Sequence, residues 1–260
     1  MTVARPNVAA RKIEEIGYER LRIYFLSFRD NSLPGKPFIP GTTYNQILRL
    51  YEGDTKIRDV CFMAVGRFEL AFRNALSEVL SARFGSHPYF QDAAFRTSGH
   101  HNEAIKKTIQ VFSQTKDQRA RHYRVTYTEP PLPPIWIMKE FFTFGTAARF
   151  YEALANDVRK EIASEFGVSV PMVFDSWIPG FVDLRNICAH HDRLFNRHFQ
   201  KQPQFYRRGN VPIAMHMTLK AQLECLDYAM DGFSSATGVV GSVQRIIDRY
   251  PEINNADLGY

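Results

Sequence analysis

Arg185, Asn186, His190, His191, Arg193 and Arg197 crowd one short stretch of this chain. Cations, an amide and imidazoles are the groups that grip and cleave a phosphodiester. Cutting RNA without a metal takes three things. A base removes the proton from a ribose 2′-OH, a cation stabilises the pentacoordinate phosphorane, and an acid protonates the departing 5′ oxygen. Imidazole exchanges protons close to neutral pH. Guanidinium stays charged and holds phosphate through two parallel N–H bonds. Fixed donors aimed at developing charge commonly supply the largest catalytic term.

The stretch from Asp183 to Arg197 reads as one helix. At 100° per residue, Asn186, His190, Arg193 and Arg197 fall in a stripe about 60° wide. Leu184, Ile187, Cys188, Leu194 and Phe195 fall opposite, as an amphipathic helix requires. His191 falls on the apolar side and reads as a buried, hydrogen-bonded histidine. Arg193 and Arg197 extend the polar stripe as RNA contacts or as solvated arginines. An Arg followed five positions later by His also occurs at Arg96/His101 and Arg193/His198, and chance predicts about one such pair, so the bare spacing is weak. Arg96 and His101 flank Thr97-Ser98-Gly99, a loop signature. His198 falls at the expected helix end, where a cation suits the dipole. Arg185 sits about 140° from His190 on an ideal helix. The helix is locally distorted, or the arginine reaches around, or two protomers contribute facing copies.

Four ordered motifs resemble the Abi-like abortive-infection proteins of bacterial phage defence, within the HEPN superfamily. The first is Ile16-Gly17-Tyr18-Glu19-Arg20-Leu21, with Leu50-Tyr51 ahead of a long helix. Arg67-Phe68-Glu69-Leu70-Ala71-Phe72-Arg73 follows, and then Pro133-Pro134-Ile135-Trp136 with Phe144-Gly145-Thr146. The last is Leu184 to His191, closing in Arg193-Leu194-Phe195-Asn196-Arg197, with Phe195 where that family has Trp. The resemblance covers residues 12 to 230.

It implies a metal-independent endoribonuclease. His190 would be the general acid/base, Arg185 the phosphate clamp, and Asn186 the group orienting His190 or the scissile phosphate. RNA would be cut and DNA spared, leaving a 2′,3′-cyclic phosphate and a 5′-OH. A homodimer pairing two motifs is implied too, which would supply a second histidine, and a neutralising antitoxin partner would restrain the activity. Two rival readings stand beside it: a module that holds a structured RNA without cutting it, and an interaction protein of a toxin–antitoxin pair. Residue by residue, Arg185 can equally be a structural partner of Asp183 or Asp192. Glu69 and Arg73, an i, i+4 pair, read as a salt bridge or as support for the motif helix. Arg119, Arg121 and Arg124, with Lys116 and Tyr123, mix cations with aromatics as single-strand binders do, and so do Arg207 and Arg208 beside Phe205 and Tyr206.

The whole chain sets the frame. At 260 residues with 45% hydrophobic content it can bury a real core. The net charge of +6 permits nucleic-acid binding only if cations cluster. The three cysteines, Cys61, Cys188 and Cys225, form no paired motif and read as buried thiols of a reducing cytosol. No signal-peptide pattern and no apolar run of spanning length occurs, so a cytoplasmic protein is expected. The two His-His pairs lack the spaced partners of a ligand set, so neither metal nor cofactor is expected.

Helical periodicity dominates, so the expected fold is all-α: a HEPN-like bundle with an added helical and irregular N-terminal and middle portion. Residues 1–10 read as a loose tail, 11–235 as one domain and 236–260 as a C-terminal extension. Helices are expected at 11–29, 57–84, 102–124, 135–154, 155–166, 170–178, 181–198 and 213–232. Thr43 and Asp54 are candidate N-caps. Glu129-Pro130-Pro131-Leu132-Pro133-Pro134 reads as a rigid extended link, a subdomain joint at 128–134.

Overall fold

The computed structural model describes all 260 residues and is all-α. Twelve helices follow one another: α1 (Pro6–Ile16), α2 (Tyr18–Leu26), α3 (Tyr44–Phe84), α4 (Ser98–Gln114), α5 (Gln118–Thr126), α6 (Ile135–Met138), α7 (Phe144–Ala153), α8 (Asn156–Glu165), α9 (Pro171–Ala189), α10 (Leu219–Phe233), α11 (Val239–Arg249) and α12 (Asn255–Leu258). Extended pairing is confined to isolated bridges.

The spine is α3, whose 41 residues extend for about 62 Å. It starts at Thr43 with a full capping box: the threonine side chain accepts from Gln46 N–H, and the Gln46 side chain accepts from Thr43 N–H. Around it pack α2 and every helix from α6 to α11. Phe68 and Phe72 of α3 lie among Phe144, Phe166, Phe174 and Phe181, and the Phe68–Phe181 centroids are 4.8 Å apart. Each fully buried ring is worth about 1.5–3 kcal/mol. This aromatic knot holds α9 against the spine.

Several boundaries differ from the sequence reading. Gly17, at φ 91°, splits the expected first helix into α1 and α2. In the opening residues Thr2 pairs with Thr42 and Tyr44 through its backbone, and α1 begins at Pro6. Asp54 caps nothing, because α3 runs straight through it. Residues 102–124 divide into α4 and α5, with Asp117 capping the second. Pro179 lies inside α9 instead of separating two helices. A proline there removes one ladder bond at about 3 kcal/mol. Burial of Trp177, Ile178 and Phe181 on either side of it offsets that loss.

In the segment Glu129–Pro134 the Leu132 carbonyl accepts from Tyr123 and the Pro133 carbonyl from Tyr89. Residues 236–260 close the core. Arg49 bonds Glu252 at 2.8 Å, and Tyr250 and Ile253 press on α3 at Gly53. One cluster of 65 buried apolar residues runs from Ala9 to Leu258. No helix is long and apolar enough to cross a membrane.

Candidate active site

The motif helix ends sooner than its sequence pattern implies. α9 stops at Ala189, and His190 is its C-cap. His191 follows in the left-handed region at φ 57°. Its N–H donates to Cys188 O at 3.1 Å, while Asp192 N–H donates to Ile187 O at 2.9 Å. That pair of bonds is a Schellman terminator, whose left-handed position glycine usually fills. Arg193 and Arg197 therefore lie beyond the helix and do not continue its stripe. His191 is exposed, not buried on the apolar side. A non-glycine residue in this conformation costs about 1 kcal/mol. His191→Gly is accordingly expected to raise the melting temperature by about 2–4 °C. A drop in thermal denaturation would mean that the imidazole itself secures the turn.

What arrests the chain after α9 is Asp54, 140 residues upstream. Its Oδ1 accepts the N–H groups of Leu194 at 3.0 Å and Phe195 at 2.8 Å. Its Oδ2 accepts Tyr24 Oη at 2.7 Å and Arg58 Nη1 at 2.5 Å. Burial raises the Asp54 carboxyl above its ordinary pKa, against the pull of Arg58, the Tyr24 hydroxyl and the two N–H groups. Tyr24 also stacks on Phe195 at 5.4 Å, and Arg20 donates to His191 O at 2.9 Å. The first motif thus clamps the last. Sequence reasoning missed Asp54, Arg58 and Tyr24 in this role. An aspartate and an arginine one turn apart within an apolar stripe were the available signal.

Arg185 pairs neither with Asp183 nor with Asp192. Its Nε lies 3.3 Å from Glu69 Oε2, while Arg73 Nη2 lies 3.7 Å from Glu69 Oε1. Glu69 is therefore both the helix ion pair and the brace of the motif helix. Arg73 also donates to Phe142 O at 2.9 Å, tying the spine to the chain ahead of α7. Arg185 Nη1 sits 3.5 Å from Asn186 Oδ1, at the outer limit of a hydrogen bond.

Asn186, His190 and Arg197 line one cleft of about 280 Å³, together with Asp183, Asp192 and His198. Burial raises the Asp183 carboxyl above its usual range, opposed by Lys201 and Arg197. The cleft can hold a phosphate against Arg197 with imidazoles in reach. Arg185 and Arg193 do not line it. Arg193 Nη1 donates to Phe195 O at 3.2 Å and Asn196 O at 3.1 Å, securing the turn.

The two remote basic clusters stay remote, and none of their arginines lines the cleft. Arg119 grips Asp117 at 3.0 Å, and Arg124 donates to the carbonyls of Phe112 and Thr115 at the end of α4. Arg121 and Arg207 are exposed, and Arg208 bonds Ser169 Oγ at 3.0 Å. Cys188 sits on the buried face of α9, its thiol pushed up to about 12 by burial, and all three cysteines are free and buried. No three His, Cys, Asp or Glu side chains converge as a ligand set.

The family profile described as Abi-like protein matches residues 11–196, most of the chain, covering the first three motifs and the fourth up to Asn196. No curated protein and no solved structure matches it.

Proposed function

The chain belongs to the Abi-like protein family, a membership that points to abortive infection as its role, and from it we propose a metal-independent endoribonuclease of phage defence. The carrying observation is the convergence of Asn186, His190 and Arg197 on one cleft at the end of the motif helix. His190 exchanges the proton, Arg197 holds the scissile phosphate, and Asn186, which Arg185 Nη1 approaches from outside the cleft, orients it. Glu69 acts through Arg185 by fixing the guanidinium against α3. The bundle is read as HEPN-like.

Only ribose carries the 2′-OH that this chemistry uses as nucleophile, so RNA is the substrate and DNA is not. Two such chains pair as a homodimer. Exposed Phe62, Met63 and Leu70 on the spine offer the apolar surface a second copy would cover. An antitoxin partner restrains the activity until infection.

The test is cleavage of a labelled single-stranded RNA in excess EDTA beside an all-DNA strand of the same sequence. RNA alone is expected to be cut, leaving a 2′,3′-cyclic phosphate and a 5′-OH. Cleavage that stops on chelation, or that includes DNA, would sink the mechanism. Retardation of the RNA in a gel without any cutting would replace it with the RNA-holding reading.

A further inference from the structure

In-line cleavage of RNA moves two protons, and His190 handles one at a time. The sequence placed His198 at a helix end, where its charge would merely suit the dipole. That explanation fails, because α9 has already stopped at Ala189. His198 instead lines the same cleft as His190, on the returning strand of chain.

Its placement is built rather than incidental. On one side, Phe195 is buried and its N–H is fixed by Asp54 at 2.8 Å. On the other, Phe199 is buried and its N–H donates to Met217 O at 2.8 Å. Two non-glycine residues, His191 at φ 57° and Asn196 at φ 46°, take left-handed conformations to bring this strand back over the end of α9. Strain of that kind persists where surrounding structure enforces it, and it gathers at working sites. The other charged or titratable groups lining the cleft are Asp183, Asp192 and Arg197. Both carboxylates line the cleft with the imidazoles.

We infer that His198 is the second proton-transfer group of this cleft, so that one chain supplies both imidazoles for RNA cleavage. This rests on the ribonuclease reading and sharpens it, since a second protomer is then not needed for the chemistry. One imidazole takes the 2′-OH proton as O2′ forms its bond to phosphorus. The P–O5′ bond breaks, its electron pair goes to O5′, and the other imidazolium gives O5′ a proton. The net change is one proton passed from the 2′ oxygen to the 5′ oxygen, with no oxidant or reductant.

The experiment uses the full chain with His198→Ala, His198→Gln and His190→Ala against two RNAs. One is all-oxygen, and the other has sulfur in place of the bridging 5′ oxygen at a single linkage. A thiolate leaves without a proton, so the sulfur substrate bypasses the acid but not the base. Both histidine positions are expected to lose at least about 100-fold on all-oxygen RNA. The sulfur substrate is expected to restore one of them and leave the other impaired. His198 variants that cut normal RNA like wild type overturn the assignment. So does a loss at His198 with rescue at neither position, which marks His198 as a contact. Wild type inert on both RNAs overturns the ribonuclease reading and this assignment with it. Unchanged melting temperatures in the two His198 variants separate loss of chemistry from loss of fold.

Discussion

His190→Ala is expected to lower RNA cleavage by about 10²–10⁴-fold, the range a positioned proton-transfer group contributes, while the protein stays folded. The structural half of that expectation comes from where the residue sits. His190 is exposed at the C-cap of α9, and its backbone N–H to Asn186 O bond is kept by alanine. A substitution of that kind changes stability by no more than about 0.5 kcal/mol, a shift of about 1–2 °C. RNA affinity in a gel-retardation assay should hold within a few-fold, because Arg197 still carries the phosphate-binding charge of the cleft. Single-turnover cleavage with saturating enzyme then isolates the chemical step. Wild-type rates in the variant would remove His190 from the mechanism whatever the remaining motif does. A matched loss of affinity and rate would make it a contact. Arg185→Lys separates a further role: a lysine keeps the charge but loses the Nε donor that meets Glu69. Disturbance there should show as a loss smaller than that of His190→Ala.

The all-α class was legible because helical periodicity carries it directly, and residue type alone singled out the stretch from Arg185 to Arg197 as the one to inspect. What failed was the assignment of local signals whose cause is tertiary. Asp54 reads as an N-cap, yet α3 passes through it and through Gly53 before it. The glycine is small because a Cβ there would sit 2.7 Å from Ile253 Cδ1, and the aspartate is spent on Leu194 and Phe195. Neither partner is within reach of any local window. The opposite error occurred at the end of α9. No glycine or proline marks the stop, so the apolar pattern of Leu194 and Phe195 reads as more helix. Those two residues are buried all the same, but on a returning strand that Asp54 and Tyr24 capture. Burial matched the pattern while the conformation did not. His198 was misplaced for the same reason, since its meaning depends on where the helix ends.

Asp54→Ala is expected to cost about 3–5 kcal/mol, the loss incurred when one partner of a buried ion pair is removed. At this chain length that is a fall of roughly 10 °C or more in melting temperature. Four donors lose their acceptor at once: two backbone N–H groups, the Tyr24 hydroxyl and Arg58 Nη1. The Arg58 side chain is 4% exposed, so its charge cannot be hydrated without opening the structure. The Thr55 hydroxyl at 2.7 Å and the distant Asp192 carbonyl at 3.5 Å accept only part of it. Cleavage should fall further than stability alone predicts, because the strand carrying Arg197 and His198 hangs from that carboxylate. Measured well below the melting point, the variant should bind RNA weakly and cut it slowly. Two companions divide the cause. Asp54→Asn keeps an acceptor for the N–H groups but strands the guanidinium, and it should recover little stability. Asp54→Asn with Arg58→Met removes the stranded charge as well and should recover most of it, since replacing both members of a buried pair is often close to neutral. If Asp54→Ala alone denatures and cuts like wild type, the carboxylate is not what holds the motif strand, and the cleft is organised from α9 instead.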